Sequence, residues 1–198
     1  MLNKLFLFLV LFSFPVHAHT FTGMIGFYDG ISHPVLGLDH FLAMVCVGIV
    51  STQIGGRAIW FVPSCFVIMM IVGGIVGIFL EINLKNIVDI AMFIIELGIV
   101  LSVILLGIAI VADKKIYRIV ITIFVCIFGI FHGLAHGIEM PWAANPILFS
   151  LGFTTGTATL HLFGVGIGSF ANRTKFLSIG LKFVGSIIAI YGFYLLLI

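Results

Sequence analysis

Two short stretches of the chain hold most of the side chains able to ligate a metal ion. The first reads His33-Pro34-Val35-Leu36-Gly37-Leu38-Asp39-His40 and continues to Met44; the second reads Phe131-His132-Gly133-Leu134-Ala135-His136-Gly137-Ile138-Glu139. In the second, His132 and His136 stand four residues apart and Glu139 three further on, so one helical face can present all three. In the first, Pro34 suits the opening position of a helix. At 100° per residue His33, Gly37, His40 and Met44 then fall on one stripe, with Asp39 at its edge as a ligand or as a partner orienting His40. Imidazole and carboxylate without thiolate suit Ni2+, Co2+, Zn2+ or Cu2+ and disfavour thiolate-rich Cu+ chemistry.

The surroundings of these residues are apolar. Of 198 residues 62% are hydrophobic and 8% charged, and the mean hydropathy is +1.36. A soluble domain carries about a quarter charged residues, so the composition describes a protein whose partner is the lipid bilayer. The net charge of +2 without a basic block excludes a nucleic-acid surface. No G-x-x-x-x-G-K-[ST] loop occurs, so the chain does not itself hydrolyse nucleotide. Cys46, Cys65 and Cys126 make neither a disulfide framework nor a CxxC site.

Residues 1–18 have the layout of a cleaved signal peptide: Lys4, an apolar run from Leu5 to Phe14, Pro15, and Val16-His17-Ala18 before the cut. Cleavage leaves His19 first, where its amine and ring can chelate one ion together. Residues 19–198 then form a single domain, an all-α bundle of six transmembrane helices near 34–51, 58–80, 86–112, 116–138, 147–169 and 176–198. The loops on one side carry Arg57, Lys114, Lys115, Arg118, Arg173 and Lys175, and those on the other only Lys85. The positive-inside rule places the mature N-terminus and the C-terminus outside. Both motifs then lie near the outer ends of their helices. Frequent glycines in the second and fifth spans predict close helix packing, and a homo-oligomer is compatible with the same composition.

Ionisable groups deep in a span are expensive and usually line a path. Glu96 in the third span and His161 in the fifth are the candidates for a continuation of the route; Thr154 and Thr157 share a face with His161, where a hydroxyl can line the path or bond back to its own helix. Lys182 is expected to snorkel to the inner interface.

The first motif resembles the HPxxGxDHxxAM signature of the HupE/UreJ family of nickel and cobalt permeases, and residues 131–139 resemble that family's second motif. The resemblance covers the mature chain. It implies uptake of Ni2+, with Co2+ as a variant, across a bacterial inner membrane by secondary transport or facilitated diffusion, in support of enzymes such as hydrogenase or urease. It implies that His33, Asp39, His40, His136 and Glu139 handle the metal, with His132 beside them, and that the chain is not an enzyme. The competing reading of the same residues is an intramembrane hydrolase in which three His and an acid hold Zn2+ and activate water.

Overall fold

The computed structural model describes residues 26–113, 116–142 and 144–197; residues 1–25, with the expected signal peptide and His19, lie outside them. Seven helices follow in order: α1 (Phe27–Leu36), α2 (Leu38–Ile54), α3 (Ala58–Asn83), α4 (Lys85–Ala112), α5 (Arg118–Ile138), α6 (Pro146–Ala171) and α7 (Lys175–Leu195). Among the described residues there are no strands. Helices α3 to α7 are each long and apolar enough to cross a membrane, which makes the chain a multi-pass membrane protein.

The segment expected as one straight first span is instead two helices, α1 and α2, bent by 85°. Only as a pair do they meet the requirements of a span, since α2 alone, with 17 residues, reaches about 25 Å. Pro34 therefore does not open a helix but lies inside α1, and the break falls at Gly37, whose backbone is extended. The expected stripe of His33, Gly37, His40 and Met44 does not exist, because His33 belongs to a different helix from the other two side chains.

Local signals set the other boundaries. Asn145 caps α6 by accepting from the Ile147 and Leu148 amides, ahead of Pro146. Thr174 caps α7 through the Leu177 amide. Gly55 and Gly56, both at positive φ, turn the chain after α2.

Helix α2 is the hub, buried on every residue from Ala43 to Gln53. A helix apolar all round belongs inside a bundle, and α2 is packed by α6, α4 and α3. Four helix pairs carry most of the packing: α3 with α5, α2 with α6, α4 with α7, and α1 with α6. Glycine makes each of them close. A methyl group at Gly133 would collide with the Met70 carbonyl, one at Gly77 with the Leu134 carbonyl, one at Gly48 with the His161 carbonyl, and one at Gly152 with the Phe27 carbonyl. Without a hydrophobic drive between helices in lipid, such backbone approach is a main source of association. Two polar contacts fasten the far end of the bundle. Gln53 donates through Nε2 to the Ile110 carbonyl at 2.9 Å, and Lys182 pairs with Asp113 at 3.2 Å rather than only reaching for the interface.

Candidate metal centre

The bend at Gly37 builds the site. The last turn of α1 carries His33 and the first turn of α2 carries Asp39 and His40, so the two halves of the broken segment meet with their polar residues facing each other. A discontinuous helix in a membrane exposes backbone ends to a cavity, and Asp39 at the start of α2 complements the positive end of that helix. A Cβ on Gly37 would stand 3.1 Å from Asp39 Oδ1 and 3.2 Å from His40 Nδ1. The missing side chain leaves room for that pair.

Asp39 Oδ1 accepts from the His40 amide at 2.8 Å and from His40 Nδ1 at 3.0 Å. An ionised carboxylate can only accept, so Nδ1 carries a proton, and in the neutral ring Nε2 keeps its lone pair. His132 arrives at the same state by another route: Nδ1 donates to the Phe128 carbonyl at 2.9 Å, again leaving Nε2 as a free acceptor. Both Nε2 atoms are buried and have no partner among the described residues. A ring whose far nitrogen is fixed by a carboxylate or carbonyl is the usual form of a metal-ligating histidine.

His136 stands at the middle of the group. Its ring centroid lies 4.7 Å from His33 and 5.1 Å from His40, while His40 and His132 are 5.0 Å apart and His33 and His40 6.2 Å. Phe153 of α6 stacks on one face of His136 at 5.1 Å. Neither nitrogen of His136 has a partner among the described residues. Glu139, at the end of α5, reaches back to His33 with Oε2 3.2 Å from Nε2. Six predicted residues, His33, Asp39, His40, His132, His136 and Glu139, thus come together from α1, α2 and α5. Among the described residues no three such groups are placed to hold one ion as they stand. The site offers several separated donors instead of a finished cage.

His161 lies one ring further in. Phe66 of α3 is edge-on to both, 5.3 Å from His132 and 5.0 Å from His161. His161 is buried, and neither of its nitrogens has a partner among the described residues. It also forms part of the wall of a mainly apolar cavity of about 400 Å3 between α3 and α6, whose other polar lining residue is Ser64. Glu96 is not brought to the cluster; it occupies an exposed position on α4, a helix that gives its packing faces to α7 and α2. Phe66 and Phe153 escape sequence reasoning because nothing distinguishes them from the other Phe among the 21 present.

Asp39→Asn tests the orienting role with little change in shape. The amide has no charge and can offer its own donors to His40 Nδ1, so the free lone pair on Nε2 is no longer enforced. Equilibrium Ni2+ binding to the detergent-solubilised protein is expected to weaken by about 10- to 100-fold, the usual scale for such outer partners. Wild-type affinity in this variant would remove Asp39 from the site.

A family model described as HupE / UreJ protein matches residues 7–195 of the chain. A curated relative, Protein HupE of Rhizobium leguminosarum bv. viciae, is 41% identical over 153 residues, which cover 77% of this chain and 75% of that protein. No solved structure matches.

Proposed function

The chain belongs to the HupE/UreJ family, and from that premise we propose that it is a permease carrying Ni2+, with Co2+ as a variant substrate, across a bacterial inner membrane. The observation that carries this reading is the set of four imidazoles, from three helices, with neighbouring centroids 4.7 to 6.2 Å apart. His40 and His132 each hold a lone pair ready, and His136 has both nitrogens uncommitted. In this reading His33, Asp39, His40, His132, His136 and Glu139 strip part of the ion's hydration and hand it to His161. In the same reading His19, freed as the N-terminus by cleavage after Ala18, adds a capture group on the outer side. Positive loops at the opposite end orient the cluster outward.

Separated donors suit transit. An ion exchanged among several partial sites leaves more easily than one held in a complete cage, as in other conducting pathways. The energy for entry need not come from nucleotide. About 100 mV supplies ~2.3 kcal/mol per charge, hence ~4.6 kcal/mol for a dication, which sustains more than a thousandfold gradient.

Purified protein in liposomes tests the proposal. Ni2+ is expected to enter, faster with an inside-negative voltage, and to be slowed by Co2+ more than by Zn2+ or Cu2+. His40→Ala should stop it at equal protein density. Turnover of lipid without movement of metal would instead support the zinc hydrolase.

A further inference from the structure

A second set of side chains lies beyond the imidazoles, and its geometry is unusual for what it contains. Thr155 and Thr159 of α6 donate their hydroxyls to the carbonyl four residues back, at 2.7 and 2.8 Å, as hydroxyls in apolar helices usually do. Thr157, between them, instead turns inward. Its Oγ1 lies 3.3 Å from Met44 Sδ and 3.5 Å from Met70 Sδ. A thioether is a weak acceptor, so satisfying the hydroxyl does not by itself account for this orientation. All three side chains are fully buried, and each comes from a different helix: Met44 from α2, Met70 from α3, Thr157 from α6.

Their positions place them on the route. Met44 is one turn beyond His40, Met70 one turn beyond Phe66, and Thr157 one turn before His161. The Met70 backbone abuts Gly133, between His132 and His136. The node therefore sits within one helix turn of His40 and of His161 and beside the turn that carries His132, whose buried imidazole nitrogens include several with no partner among the described residues.

We infer that Met44, Met70 and Thr157 form an uncharged, soft-donor relay which the cargo ion crosses between the four-histidine cluster and His161, and which discriminates against hard dications. This rests on the permease reading above. Mg2+ sheds water reluctantly and seeks oxygen, and two thioethers offer it almost nothing. Ni2+ and still more Cd2+ accept sulfur. Methionine, with three rotatable bonds, can follow an ion over a short distance without moving a helix. A weak neutral station between stronger ones also keeps the ion from being trapped.

The full chain in liposomes, assayed for Ni2+, Cd2+ and Mg2+ flux, tests this. Leu replaces Met at nearly constant volume. In the Met44→Leu/Met70→Leu double variant, Ni2+ and Cd2+ flux should fall by about tenfold, the scale on which partners of a metal site act. Equilibrium Ni2+ binding at the histidine cluster should remain that of wild type. A second measurement needs no mutation: labelling the protein with selenomethionine makes the donors softer and should raise the ratio of Cd2+ to Ni2+ flux. If the double variant does not fold, that ratio decides alone. Wild-type flux in the double variant, or an unchanged ratio on labelling, overturns the relay and leaves the permease standing. A wild-type protein that moves no metal overturns both.

Discussion

His136→Leu is expected to yield a protein that is more stable than wild type without metal and carries none. Both nitrogens of His136 are buried without a partner among the described residues, beside Phe153 and the imidazoles of His33 and His40. Each unmet polar group in such a place costs about 1–3 kcal/mol. Leucine fills a similar volume and has nothing to desolvate. A gain of about 2 kcal/mol corresponds to a rise of roughly 4–8 °C in Tm for a chain of this size, measured in detergent with a chelator present. Uptake in liposomes should fall by at least about 100-fold, because the ring that bridges His33 to His40 is gone. An ordinary core residue would behave the other way, losing stability and keeping its chemistry wherever the protein still folds. A variant that loses several degrees of Tm would show that the imidazole is a structural member, and wild-type uptake would take it out of the path.

The second large effect is expected at a residue with no side chain. In Gly133→Val the new Cβ meets the Met70 carbonyl and the Gly74 amide, backbone atoms that cannot step aside. Helices α3 and α5 must separate, and His132 and His136 move with α5. Overpacking of this kind costs about 1–3 kcal/mol even where side chains can yield, so a fall of roughly 6–12 °C in Tm is the reasonable expectation for about 3 kcal/mol. Metal binding should fall with it. Gly166→Ala and Gly180→Ala are the controls, since a methyl group at either meets nothing within 4 Å. Equal damage at Gly133 and Gly180 would mean that helix flexibility, not the close approach, is what the glycines supply.

The grouping of the candidate residues was legible because ionisable residues are so rare in this chain that their clustering stands out. His132 and His136 lie one turn apart on α5, and Glu139, expected on the same helical face, instead follows just past the helix end; α5 and its end bring the three to His33, Asp39 and His40. The geometry of the first motif was not legible. Residues on either side of Gly37 are as apolar as those of a continuous span, and periodicity reads straight through an 85° bend. What holds the bend is distant: α1 nests on Gly152 and Gly156 of α6, more than a hundred residues away in sequence. Glu96 shows the opposite failure. Depth along a helix can be counted from sequence, but the side of the helix that faces a site depends on its neighbours, and α4 turns Glu96 to the outside. Phe66 and Met70 were hidden for a third reason, since apolar residues in an apolar chain give no contrast.

The complete burial of α2 has a consequence for how the protein is made. Among the described residues helix α2 precedes every other long helix on the ribosome, yet Gly48 must wait for Gly164 and Val165 of α6 before its close contact can form. Gln53 waits for Ile110, and the Thr52 carbonyl for the Asn172 amide. Until then the helix destined for the centre has lipid or the insertion machinery on all sides, with polar groups it cannot yet pair. A chain interrupted before Pro146 therefore holds both histidine motifs but lacks the helix that packs against them, and it is this late helix, which supplies a single imidazole, that encloses the early cluster.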